Sequence, residues 1–333
     1  MTNHITRRRF LAGTTALGAS ALLGAPGTSH AEPPPEISRV RIANVGALCF
    51  APQFVADALL RQEGFTDVQY VKVVNSIPET LTSAADFAMF GGPSVIPAID
   101  KGLPVKVLTG LHEGCWELFA REPINSLMDL RGRTVGTSAF GSVDHVFLSS
   151  MLAYVGIDPN TEIKWVETKR WGAAKELFLQ NKVEVFLAFP PEPQELRAMG
   201  ERRVIVDTTH DRPWSQYFCC MLGGRNEFIT QYPVATKRAL RAVLKAADLC
   251  TEKPDVAARY LVDRGYAGNY NFALETLTSL SYRRWRTDDA ANTLLFYSLR
   301  LRDVGMIKSL PQEIVERGTD FSFLNELKKE LKA

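Results

Sequence analysis

The chain has 333 residues, 46% hydrophobic and 23% charged, which is enough apolar material for a substantial core and a length suited to about two domains. No stretch beyond residue 31 reaches the roughly 18 uninterrupted apolar residues that a membrane span needs. The net charge of +2 belongs to the first 31 residues: they hold three arginines and no acid, so the remainder carries 36 basic and 37 acidic residues, and a basic nucleic-acid-binding surface loses its support.

In chain order, Arg7-Arg8-Arg9 precede a mildly apolar stretch, Phe10–Leu23, that ends in Ser29-His30-Ala31. This is the three-part layout of a cleavable export signal, with cleavage expected after Ala31. The arginines followed by Phe10-Leu11 resemble the twin-arginine export motif. Residues 32–37, with three consecutive prolines, read as a stiff linker.

Strands and helices then alternate. Strands are expected at 39–46, 67–74, 86–94 (broken by two glycines and a proline), 103–111 and 116–120, with helices at 51–64 and 95–101 between them. The polar break Asp129–Gly132 opens a second cycle: strands 133–137, 162–167, 183–188 and 203–207 alternate with helices 142–155, 170–181 and 191–199. Such alternation predicts α/β architecture with parallel, helix-covered sheets. An apolar strand, Tyr217–Leu222, leads back, and the rest is helical, beginning with the amphipathic 233–250 and continuing at 254–264, 271–279, 288–304 and 320–331. The economical arrangement is one lobe from 38–128 and 223–333 with a second lobe, 129–222, inserted into it, and a hinged cleft between them.

Enzyme signatures fail. There is no phosphate-binding G-x-x-x-x-G-K-[ST], no G-x-G-x-x-G and no H-E-x-x-H, and Phe140 stands where a hydrolase elbow around Ser138 needs glycine. After the leader only His112, His145 and His210 remain, too far apart in sequence to suggest a metal site. The five cysteines, Cys49, Cys115, Cys219, Cys220 and Cys250, include no C-x-x-C pair, so they read mostly as small core residues. No cofactor, metal or catalytic residue is expected.

What recurs instead is a set of loops at strand ends fit to hold a ligand. They contribute Cys49 and Phe50; Gly92, Pro93 and Ser94; His112 and Trp116; Ser138, Phe140, Gly141 and Ser142; and Phe189 with Glu192. In open α/β sheets, ligands sit outside the carboxyl ends of the strands. Glycine and serine at the start of a helix let backbone N–H groups approach an anion or a polar carbonyl, although Ser142 also suits an ordinary N-cap. Glu192 would accept from an amine, and Phe50, Trp116, Phe140 and Phe189 would supply apolar walls.

Three segments carry a family resemblance: DLRGRTVGTSAFGSVDHVFLSSMLAYVGIDP (129–159), ADFAMFGGPSVIPAIDKGLPVKVLTG (85–110) and EVFLAFPPEPQELRAMG (184–200). With the helix 233–250, their order resembles periplasmic solute-binding proteins of ABC importers for nitrate, sulfonates, taurine and thiamine-type pyrimidines. The resemblance implies a two-lobed periplasmic-binding-protein fold of type II kind with a helical C-terminal tail. It also implies a non-enzymatic, monomeric, exported protein that captures a small organic anion or heterocycle and hands it to an inner-membrane permease. Two alternatives share the superfamily. FCCMLGG (218–224) invites comparison with thiamine-pyrimidine synthases, which use a cysteine-rich motif, a histidine and iron, and the same fold also serves receptors as a sensor subunit.

Overall fold

A computed structural model describes residues 32–73 and 76–332, and the expected export signal lies outside the described residues. Among the described residues, ten strands form two sheets. The first contains β1 (Arg39–Asn44), β2 (Asp67–Lys72), β3 (Phe87–Gly91), β4 (Val105–Glu113) and β10 (Phe218–Arg225), in the order β2-β1-β3-β10-β4. The second contains β5 (Glu117–Ala120), β6 (Thr134–Thr137), β7 (Lys164–Glu167), β8 (Val185–Ala188) and β9 (Val204–Asp207), in the order β7-β6-β8-β5-β9. In each sheet the strand fed by a crossing of the chain, β10 or β5, runs antiparallel to both its neighbours, while β1 pairs in parallel with β2 and β3, and β6 with β7 and β8.

Helices cover both sheets. They include α1 (Val143–Tyr154), α2 (Glu192–Ala198), α3 (Pro233–Glu252), α4 (Tyr270–Ser279) and α5 (Ala290–Asp303). β3, reading FAMFG, is buried throughout, as a parallel strand covered on both faces must be. α3 shows the opposite pattern: Ala239, Leu240, Val243, Leu244 and Ala247 are buried, while Lys237, Arg241 and Lys245 engage carboxylates of Glu330 and Glu63.

The lobe limits differ from the sequence expectation of 129 and 222. Glu117–Ala120 already belongs to the second sheet, and Phe218–Arg225 wholly to the first, so the chain crosses at 114–116 and at 208–217. The polar break at Asp129 is a capped turn inside the second lobe, its carboxylate accepting from the N–H groups of Asn125 and Ser126 at 2.9 and 3.0 Å. Polarity there marks a solvated turn, not a lobe boundary. The linker expectation is refined as well. Glu36 accepts from the N–H groups of Val234 and Ala235, both at 2.8 Å, and so satisfies two donors at the start of α3 that no side-chain N-cap reaches.

One carboxylate ties the first sheet together. Asp86, just before β3, accepts from the Arg41 backbone and guanidinium on β1 and from the Arg225 guanidinium on β10, at 2.8–3.2 Å. Its side chain is buried, whereas both arginines keep partial solvent access. Removing one partner of a buried pair strands the other, at about 3–5 kcal/mol when both are sealed. The access of the arginines lowers the expected cost of Asp86→Ala to about 2–3 kcal/mol. At roughly 2–4 °C per kcal/mol, calorimetry should show the melting temperature falling by several degrees.

Candidate functional site

The two crossings run side by side and link the two lobes. Trp116 N–H donates to the Thr208 hydroxyl, and Thr208 N–H to the Trp116 carbonyl, both at 2.9 Å. At Gly114, with φ of +59°, an added Cβ would lie 2.4 Å from Thr209 Cα, so only glycine fits between the two segments. Cys115 follows with φ of +130°, a sparsely populated conformation for a residue with a side chain.

The lobes meet directly over these crossings. Leu48 N–H donates to the Pro190 carbonyl at 3.3 Å, and Gly91 packs against Val143 at the start of α1. Trp116 lies edge-on to Phe147 at 5.9 Å and beside Phe189 at 5.3 Å, while Phe147 contacts Tyr297 of α5 and Trp171 stacks near Phe189 at 4.5 Å. On one flank a cavity of about 380 Å³ opens between the lobes, walled by Cys115, Glu117, Pro190, Gln194, Arg197 and Glu275. Arg197 on α2 bridges Glu117 and Glu275 of α4 across it, each at 2.7 Å.

The loop after β1 is held by Gln53, whose fully buried amide donates to Ala43 O and accepts from Met89 N–H, both at 2.9 Å. Those bonds bind the loop to β1 and β3 where the strands diverge. Cys49 and Phe50 are buried, and the Cys49 carbonyl accepts from the Tyr282 hydroxyl at 3.1 Å. Gly92 presses on the Phe218 and Cys219 carbonyls, Pro93 is buried beside it, and Ser94 donates to Gly91 O at 2.7 Å.

The start of α1 has its own solution to the N–H groups left by residues 138–142. Ser138 N–H donates to the Asp144 carboxylate at 2.7 Å, Phe140 N–H to Glu167 at 2.8 Å, and Gly141 N–H to His145 Nδ1 at 3.2 Å. Ala139 N–H donates to the Ser142 hydroxyl and Ser142 N–H to Ala139 O. Both Ser138 and Asp144 are buried. Two of the chain's own carboxylates thus take up donors of the loop that leads into this helix. Phe140, expected as a cleft wall, is 62% exposed and turns to His145 instead.

Glu192, at the start of α2, is buried, and its carboxylate accepts from Phe189 N–H at 3.3 Å. Burial pushes its carboxyl up to about 8, partly offset by that N–H and by Lys175, while Asp144 adds to the rise. At neutral pH this side chain is largely a carboxylic acid, able to donate as well as accept.

A second focus lies at the carboxyl edge of the first sheet. His112 on β4 stands directly opposite Cys220 on β10; Cys49 comes from the loop after β1 and Cys115 from the crossing. All four are buried, with their sulfur and nitrogen atoms within 4.8 Å of one another, and Cys219 Sγ lies 3.2 Å from Cys115 Sγ. Burial lowers the His112 imidazole, but the neighbouring Cys49 and Cys219 sulfurs outweigh it and hold it up at about 9. Cys49 is held well below the usual thiol range by Cys115, Cys220 and His112, whereas burial drives Cys115 and Cys220 up. Of the residues expected from sequence, Cys49 and His112 meet here, and Trp116, Phe189 and Glu192 meet between the lobes. Sequence reasoning missed Asp144, Phe147, Trp171 and the part played by Cys115 and Cys220.

Known proteins agree with this architecture. The periplasmic nitrate-binding protein NrtA of Synechocystis superposes with a TM-score of 0.74 at 15% identity, covering 90% of each chain. The alkanesulfonate-binding protein SsuA of Xanthomonas axonopodis gives 0.66 at 15% identity, over 84% of this chain and 96% of that one. At these identities the likeness is one of fold. In sequence, the riboflavin-binding protein RibY of Chloroflexus aurantiacus is 28% identical over 204 residues, a match that spans 57% of this chain and only 56% of RibY. Residues 60–257, more than half of the chain, match the family described as NMT1/THI5 like, and the chain belongs to that family.

Proposed function

We propose that the chain is the exported solute-binding component of an ABC-type importer, and that it captures a small aromatic heterocycle between its lobes. The observation that carries the choice of ligand is the loop before α1. Asp144 and Glu167 already accept from Ser138 and Phe140 N–H, so a sulfonate, carboxylate or nitrate approaching those two donors would have to displace a carboxylate. Trp116, Phe189 and Trp171 offer ring faces, and the Glu192 carboxyl offers an acceptor for ring N–H or amino groups. The name of the relative RibY points to a ligand of this class. Binding without catalysis fits the position of Cys49 and His112, a nucleophile and a base that are both closed off in the first lobe. Presenting both lobes to a permease suits a monomer.

A thermal-shift screen of residues 32–333 tests this reading, using flavins, thiamine-type pyrimidines and other N-heterocycles beside nitrate, taurine, sulfonates and aromatic carboxylates. A ligand at 100 times its Kd adds about 2.7 kcal/mol. That is a rise of several degrees at roughly 2–4 °C per kcal/mol. Heterocycle hits with flat sulfonate and nitrate traces are expected; the reverse pattern would overturn the ligand assignment.

A further inference from the structure

We propose that Cys49, His112, Cys115 and Cys220 form a binding site for a thiophilic divalent cation of the zinc class, set at the root of the crossings. This role is separate from solute capture. The donor set is three thiols and one imidazole, the closed S₃N combination found in structural zinc sites. A tetrahedral zinc ion holds its ligands at about 2.0–2.3 Å, which places donor atoms roughly 3.5–4 Å apart. The four donors already lie within 4.8 Å of one another, so only a small contraction is needed.

The histidine is set up as a ligand. Its Nδ1 lies 3.1 Å from the Glu113 carbonyl, which can only accept, so Nδ1 carries a proton and is held by it. Nε2 is fully buried and has no hydrogen-bond partner, an arrangement otherwise costly in an interior. A backbone carbonyl orienting one ring nitrogen while the other is left for a metal is the usual outer shell of a histidine ligand. Tyr282 supports the opposite side, its ring against His112 at 5.1 Å and its hydroxyl on the Cys49 carbonyl. Cys115 also lines the inter-lobe cavity, which gives an ion a route inward.

Three of the donors belong to the first lobe, but Cys115 lies on the crossing, in a sparsely populated backbone conformation that persists only where its surroundings enforce it. A coordinated ion supplies that enforcement. The chief competing use of these thiols is a disulfide between Cys115 and Cys219, whose sulfurs already touch.

The test uses the full chain, purified, reduced and freed of metal under anaerobic conditions, and titrated with cobalt(II) and then zinc. One equivalent of cobalt should produce thiolate-to-cobalt charge-transfer absorption and the intense visible bands of tetrahedral cobalt, both abolished by zinc. Cys220→Ser and His112→Ala should each weaken zinc binding at least 100-fold in competition with a chromophoric chelator. Cys250→Ser, buried elsewhere, should leave binding unchanged and so controls for general damage to the core. Circular dichroism of the variants separates lost folding from lost ligation. The proposal fails if the reduced wild-type chain shows no thiolate charge transfer. It fails equally if the bands persist in both ligand variants, or if Cys115 and Cys219 prove to be joined and the chain takes up no metal after reduction.

Discussion

Gly91→Ala should weaken ligand binding by at least ten-fold while leaving each lobe folded. Gly91 has φ of −65° and ψ of 128°, which alanine adopts without strain, so the substitution acts only through the added methyl group. That carbon would stand 2.4 Å from Val143 Cγ2, on the other side of the cleft. Valine at a helix start has little rotamer freedom to yield, and overpacking of this kind typically costs about 1–3 kcal/mol. Because the contact exists only where the lobes meet, the cost falls on the closed form, and a ten-fold loss corresponds to about 1.4 kcal/mol. Isothermal titration with the heterocycle identified by the screen measures the loss, and small-angle scattering should show a larger radius of gyration without ligand. Adding Val143→Ala should restore both quantities, a coupling that independent sites would not show. Unchanged affinity and an unchanged radius would remove this contact from the closure mechanism.

Glu192→Gln should flatten part of the pH dependence of stability. In the folded protein burial raises this carboxyl from its ordinary 4.5 to about 8. Between those values the native state holds a proton that the unfolded chain has released, so stability from this group is complete below about pH 4.5 and is lost as pH rises towards 8. Glutamine removes the titration yet retains an acceptor for Phe189 N–H. Variant and wild type should therefore match near pH 4.5, and the variant should be the more stable at pH 8 and above, by on the order of a few kcal/mol. Urea unfolding at several pH values gives the difference directly, and subtraction cancels the other titrating groups. Parallel stability curves from pH 4.5 to 9 would show that Glu192 ionises normally.

The fold was legible because alternating strand and helix signals survive in local sequence: β6, α1 and α3 lie within two residues of their expected limits. Lobe membership was not, since β5 and β10 pair with strands far away in sequence and nothing in WELFA or FCCML says which sheet they join. The short helix Ile77–Ser83 went unrecognised although Ser76 and Glu79 announce it, with the Ser76 hydroxyl accepting from Glu79 N–H. Phe140 was placed in the cleft on its aromatic character alone, which carries no direction. The cysteine cluster is the clearest case of hidden information. Its donors come from a loop, an edge strand, a crossing and a central strand, so spacing along the chain cannot reveal them, whereas the register of His112 opposite Cys220 does.

The matching strand orders have a further consequence. Aligning β2-β1-β3-β10-β4 with β7-β6-β8-β5-β9 equates β1 with β6 and β3 with β8, so the two sheets share one topology. The loop at 46–53 then corresponds to that at 138–142, and Gly91–Ser94 to Phe189–Glu192. The cleft is the same pair of loops used twice, but the copies have diverged. The first lobe's version, Gly91-Gly92-Pro93, is small and nearly featureless, while the second lobe's offers Phe189 and Glu192. If solute is held between these loops as proposed, discrimination would fall to the inserted lobe, and exchanging residues 189–192 would be the economical way to retarget the protein.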